Sequence, residues 1–109
     1  MLLDVRTYRC KPGTLVSHLN LYEKHGKAPQ FRCLGEPLCY LKGESGNPNE
    51  YVHIWVYESA GDREAKRAAL WADDEWMSYT RMSAELGALE SQTNKLMNPV
   101  SFCPLVAKP

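Results

Sequence analysis

At 109 residues the chain is long enough for one domain with its own core, and 44% apolar against 24% charged residues is the balance of a globular protein. Its 13 Lys and Arg match 13 Asp and Glu, so no cationic excess draws it to phosphate backbones or anionic lipid. Nucleic-acid partners and membrane insertion are therefore set aside.

Met1-Leu2-Leu3 runs at once into Asp4, Arg6 and Arg9, which leaves no apolar stretch for a signal peptide. Nothing approaches the roughly 18 apolar residues of a membrane span. A cytoplasmic protein is expected. Cys10, Cys33, Cys39 and Cys103 form no C-x-x-C pair, so a metal site is not expected, and free thiols are favoured over bridges.

Leu3 to Cys10 alternates with period two, and Pro12-Gly13 ends this first strand. Residues 13–28 read as a helix with Leu15, Leu19 and Tyr22 at i, i+4 and i+7, and with Val16, His18 and Leu21 broadening the stripe. Gly26 is the expected stop, and Pro29 is not expected to continue the helix. A second strand spans about 38–43, and the turn formers Glu44 to Asn49 make a hairpin into a third.

That third strand, Tyr51-Val52-His53-Ile54-Trp55-Val56-Tyr57, alternates aliphatic residues with polar-tipped rings. Its two side-chain sets lie on opposite faces, and neither face suits bare solvent. Ser59 with Asp62 resembles a capping box ahead of an alanine-rich helix over 60–72, with Arg63, Lys66 and Arg67 on its solvated side. Asp73 reads as the N-cap of a further helix to about Leu86, carrying one stripe of Met82, Leu86 and Leu89 and another of Trp76 and Tyr79. Residues 91–97 are a fourth strand, and 98–109 form an apolar tail expected to dock on its own domain or on a partner.

The order β-α-β-β-α-β, with the second helix broken, is the split βαβ or ferredoxin-like pattern: an α+β fold with a four-stranded antiparallel sheet. Helices on one face leave the other open. The expectation is that Val52, Ile54 and Val56 pack beneath the helices. His53, Trp55 and Tyr57 would then lie on the open face beside Arg6 and Tyr8 and pair with a second copy of the sheet.

The motifs resemble those of the NIPSNAP family: Arg6-Thr7-Tyr8, Lys11-Pro12-Gly13, Leu21-Tyr22-Glu23-Lys24-His25-Gly26 and Leu34-Gly35. Residues 52–57, Asp62-Arg63-Glu64 with Arg67, and Glu75-Trp76 belong to the same succession. Asn94, Met97, Pro99, Phe102, Pro104 and Leu105 follow in order. Asp74 stands where the family usually has proline, and Cys103 where it usually has serine. The resemblance implies sheet-to-sheet pairing into a dimeric α+β barrel. It also implies distant kinship to cofactor-independent monooxygenases and haem-degrading enzymes. Eukaryotic relatives are associated with mitochondria and with vesicle or mitophagy roles, whereas stand-alone bacterial members mostly have no assigned activity.

Candidate chemistry centres on His53, with Arg6 and Tyr8 as donors for an anion or carbonyl; an Arg6 pairing with Asp4 or Glu58 is the stronger alternative. Trp55, Trp76, Tyr40 and Tyr22 are candidates for a flat apolar ligand, and His53, Trp55, Tyr57 and Tyr8 for the dimer interface. His18 and His25, seven residues apart, lack a third metal ligand, since Glu23 points elsewhere. No cofactor is implied. A homodimer that binds a small apolar ligand or a protein is the leading reading. An enzyme of monooxygenase or haem-degrading type, with a pocket between sheet and helices, is the alternative.

Overall fold

A computed structural model describes residues 1–105. Four strands, β1 (Leu2–Cys10), β2 (Cys39–Lys42), β3 (Glu50–Tyr57) and β4 (Leu89–Met97), form one sheet in the order β2-β3-β1-β4. Every neighbouring pair is antiparallel. Helices α1 (Leu15–Leu21), α2 (Lys27–Leu34), α3 (Ala60–Trp71) and α4 (Asp74–Leu86) complete the expected ferredoxin-like α+β arrangement.

The expected stop at Gly26 is absent. A π-helical turn, Tyr22–Gly26, joins α1 to α2 without a break, and α2 ends only at Gly35, whose φ of 84° an L side chain rarely adopts. The widened turn restarts the helix, so Pro29 falls in the first turn of α2, where its missing N–H costs little. Gly26 has a packing role: a Cβ there would lie 3.0 Å from the rings of both Tyr22 and Tyr79. The two helix caps are as expected. Ser59 accepts a hydrogen bond from the Asp62 amide at 3.1 Å, and Asp73 accepts one from the Trp76 amide at 2.9 Å.

The sheet faces are the reverse of the expectation. Tyr51, His53, Trp55 and Tyr57 are buried, whereas Val52, Ile54 and Val56 are only half-buried. Trp55 and Tyr57 pack with Tyr22, Leu34, Leu70, Trp76 and Tyr79 from the helices. His53, Trp55, Tyr57 and Tyr8 are therefore on the helix side and not on an outer dimer face. The physical reason is size and chemistry. Large rings bury more area than the short aliphatic side chains, and on this side the Tyr51 hydroxyl finds its partner, His18, on α1.

Helix α3 is turned over to match. Ala65, Ala68, Ala69 and Ala72 are exposed, while Leu70 is buried and Arg63 and Arg67 are half-buried. The basic set is thus no solvated face: Arg63 bonds buried Asp4 at 3.0 Å. In the tail, Val100, Phe102 and Leu105 are exposed, and residues 106–109 lie outside the described residues.

Candidate functional site

The helix face of the sheet is a row of rings held by cross-strand register. His53 on β3 lies opposite Arg6 on β1 and Tyr40 on β2, while Tyr8 lies opposite Tyr51. The ring of His53 stacks on Tyr51 with centroids 5.6 Å apart, and it lies 4.9 Å from Tyr8 and 6.0 Å from Tyr40. Trp55 closes the row edge-on at 5.8 Å. Such pairs each contribute on the order of 1 kcal/mol beyond the area they bury.

One hydrogen bond sets the chemistry of His53. The Trp55 indole N–H donates to His53 Nδ1 at 2.6 Å. An indole nitrogen only donates, so Nδ1 must be the unprotonated nitrogen, and the neutral ring carries its proton on Nε2. That Nε2–H has no hydrogen-bond partner among the described residues. Burial first, and the nearby Arg6 charge second, push the His53 pKa down to about 3. His53 is a neutral donor across the physiological range.

Asp4 anchors the charged end of the site. It is wholly buried; its Oδ2 accepts from Arg6 Nη1 at 3.1 Å and Arg63 Nε at 3.0 Å, and its Oδ1 from Asn94 at 3.2 Å. Burial alone would raise its pKa, but the hydrogen bonds and the two guanidinium charges bring it below the usual carboxylate range. The expected pairing of Arg6 with Asp4 is present, on the helix side of the sheet. Arg6 Nε also donates to the Tyr8 hydroxyl at 3.2 Å.

Between this face and the helices lies a cavity of ≈ 380 Å³. It brings together Arg6, Tyr8 and His53, the three candidates for chemistry, with Tyr22 and Trp76. Trp55 and Tyr40, expected to touch a ligand, do not line it. Trp55 stands behind His53, and Tyr40 hydrogen-bonds the Tyr22 hydroxyl, which also donates to Gln30 at 2.6 Å.

Sequence reading missed four contributors: His18, Tyr51, Tyr79 and Arg67. In the sequence His18 reads as part of the buried stripe of the first helix and as half of a metal pair with His25, not as a cavity residue. Here its Nε2 bonds the Tyr51 hydroxyl at 2.7 Å, burial pushes its pKa down, and His25 sits on a separate surface groove. Among the described residues no group of three or more His, Cys, Asp or Glu is placed to hold a metal. Burial likewise raises the phenols of Tyr22 and Tyr51, and that of Tyr79 to about 12, so these hydroxyls stay protonated. Among the described residues the buried Trp76 indole N–H, like His53 Nε2–H and His18 Nδ1, has no partner.

With this geometry in hand, the chain matches the NIPSNAP family profile over residues 3–104. It belongs to the NIPSNAP family. A NIPSNAP family protein of unknown function from Agrobacterium tumefaciens superposes with a TM-score of 0.89 at 40% identity, covering 97% of this chain and 94% of that one. An uncharacterised NIPSNAP domain protein from Burkholderia xenovorans gives a TM-score of 0.89 at 30% identity, over 95% and 99% of the two chains. The NipSnap homolog of Dictyostelium discoideum is 31% identical over 83% of this chain and 40% of its own length. Human NipSnap homolog 3A is 27% identical over 97% and 42%. This NIPSNAP chain thus spans about two-fifths of the length of those eukaryotic relatives. A putative antibiotic biosynthesis monooxygenase from Nitrosomonas europaea shares the fold, with a TM-score of 0.65 at 11% identity over 92% of this chain and 99% of that one. Among the described residues, no helix is long and apolar enough to cross a membrane.

The His53 environment makes a sign-definite prediction. The unfolded chain takes a proton on His53 below pH 6.5, and the folded chain does not until about pH 3, so stability is lost as pH falls through that window. Asp4, lowered in the fold, works in the same direction at the acid end, and buried His18, also lowered, adds its own share to the window below pH 6.5. Between pH 6.5 and 5 the His53 share is about 2 kcal/mol, at about 1.4 kcal/mol per pH unit. Urea unfolding of His53→Gln, which keeps an oxygen to accept the Trp55 N–H, should show the His53 share of the slope removed and the His18 share retained. An unchanged slope would place the titration elsewhere.

Proposed function

We propose that this NIPSNAP subunit binds a small, flat, largely apolar ligand in the cavity between sheet and helices. What carries the reading is the pairing of ring walls with buried donors left open. The cavity of ≈ 380 Å³ is walled by Trp76, Tyr79, Tyr8 and Tyr51, and on its lining residues the N–H groups of His53 and Trp76, with His18 Nδ1, lack partners among the described residues. Its size lies at the small end of ligand sites, and apolar walls with a few polar groups are their usual composition. An unsatisfied buried donor costs about 1–3 kcal/mol. A ligand oxygen in reach of either donor would recover part of that cost.

The enzyme reading has a fold likeness to monooxygenases in its favour. The cavity chemistry favours binding instead. His53 has no free lone pair, since Nδ1 accepts from Trp55 and Nε2 bears the proton. Burial holds His18 below its usual pKa and Tyr22, Tyr51 and Tyr79 above theirs. A general base poised near neutrality is what a proton-abstracting mechanism would need.

The reading also includes a homodimer, through the face opposite to the one the sequence suggested. The strand register puts Leu3, Val5, Val52, Ile54, Val56 and Leu41 together on the open side of the sheet. Leu41 is 54% exposed and Met97, beside Leu3 on β4, 52%. Across β1, β2 and β3 the middle of this face is uncharged, with Lys95 opposite Val5 on β4, so a two-fold related copy can cover the apolar part with like against like.

Two measurements test these readings. 2-Naphthoate and 2-naphthamide should shift the side-chain NMR signals of Trp76 and Tyr79. Ser83→Phe, which places a ring at the cavity wall, should weaken binding about tenfold or more. Binding that leaves those signals unmoved, or that Ser83→Phe does not weaken, would remove the cavity from the account. Light scattering of Ile54→Glu should give a monomer, since a carboxylate on the paired face would be buried without a partner. A dimer that survives Ile54→Glu with unchanged affinity would rule this face out.

A further inference from the structure

The cavity is electrostatically one-sided. Arg6 and Arg67 line it, and no Asp or Glu does. The Arg6 charge is answered by Asp4, but the same carboxylate oxygen also serves Arg63. One buried anion thus faces two guanidiniums, and Arg67, one turn beyond Arg63 on α3, makes a third cation in the neighbourhood. Among the described residues Arg67 forms no ion pair and no side-chain hydrogen bond.

An ordinary solvated helix charge would sit elsewhere on this helix. The solvent side of α3 is taken by exposed Ala65, Ala68 and Ala69, while Arg67 is half-buried on the side that carries buried Leu70. Burial and the repulsion of Arg6 both push its pKa down, the direction expected of a cation without its counter-ion. An arginine remains charged nonetheless, and its planar fork matches a carboxylate. The rings within the same cavity, Trp76 and Tyr79, have centroids 5.0 Å apart and planes tilted by 40°, and together they offer an apolar wall.

Resting on the cavity as a ligand site, we infer that the ligand is a small aromatic carboxylic acid, with its carboxylate on the Arg67 guanidinium and its ring against Trp76 and Tyr79. The unpartnered N–H groups of His53 and Trp76 then serve as neutral donors to the acid's further oxygen atoms. Arg67 is a binding residue in this account, and its charge has no other role in the fold.

The test is calorimetric titration of the full chain with 2-naphthoate and with its neutral isostere 2-naphthamide, for wild type, Arg67→Met and Arg67→Gln. Wild type should prefer the acid by about tenfold or more, the worth of one charge-assisted hydrogen bond. In both variants the preference should fall to about twofold while the amide binds as before. Neither variant should melt below wild type, because removing a half-buried unpaired charge does not cost stability. Equal binding of acid and amide by wild type, or a preference that survives in both variants, would overturn the acid while leaving the cavity as a ligand site. Failure of both probes to bind would remove the ligand site and the acid together. A large drop in melting temperature in both variants would show that Arg67 is paired within the fold, and would count against the inference.

Discussion

The structure depends on how one strand satisfies its rings. Strand β3 carries four side chains that are bulky, mostly apolar and polar-tipped, and the fold buries all of them on the helix side. Burying such groups is favourable only when the tips are answered. Trp55 answers Nδ1 of His53 and His18 from α1 answers Tyr51, while the Tyr57 hydroxyl has no partner among the described residues. From these two bonds follow the position of α1, the fixed tautomer of His53 and the wall of the cavity. They also leave the aliphatic side of the same strand for the open face.

The second organising constraint is charge. Asp4 is wholly buried yet stays ionised because three donors converge on it from β1, β4 and α3. Removing one partner of such a cluster costs about 3–5 kcal/mol, so it ties the first strand, the edge strand and the helix into one unit. It also fixes the rotation of α3. With Arg63 on Asp4, Arg67 must come to the cavity one turn later, and the alanines must face water. The cation at the ligand site is thus a consequence of the same register that builds the core.

Strand order, the bounds of β1 to β3 and both helix caps were legible because they rest on local signals: period two in β1 and β3, the Asn-Pro-Asn hairpin, and Ser59 and Asp73 as caps; β4 begins at Leu89, which the helical spacing assigns to α4. The facing of β3 was not. Alternation states that two sets of side chains diverge, and it is silent on which set meets the helices. The choice of the aliphatic set followed the habit of placing valine and isoleucine in cores, and it turned α3 over with it. A signal was present in the chain: Asp4, Arg6 and Tyr8 share a face with the rings, and only α3 offers basic residues in register to answer Asp4. The continuation of the first helix past Gly26 and Pro29 was likewise hidden, since a π turn leaves no residue signature of its own and only the tight fit of Gly26 against Tyr22 and Tyr79 explains the glycine. Of the cavity, the sequence gathered Arg6, Tyr8, His53, Tyr22 and Trp76; His18, Tyr51, Tyr79 and Arg67 needed the fold to reach them.

The central claim is that His53 is a neutral donor whose proton is held on Nε2 by the indole of Trp55. Proton–nitrogen NMR of the histidine rings, followed from pH 5 to 8, reads tautomer and titration together. The account predicts an Nε2–H tautomer for His53 with shifts that do not move across the range. An Nδ1–H signal, or a titration centred between pH 6 and 7, would contradict it.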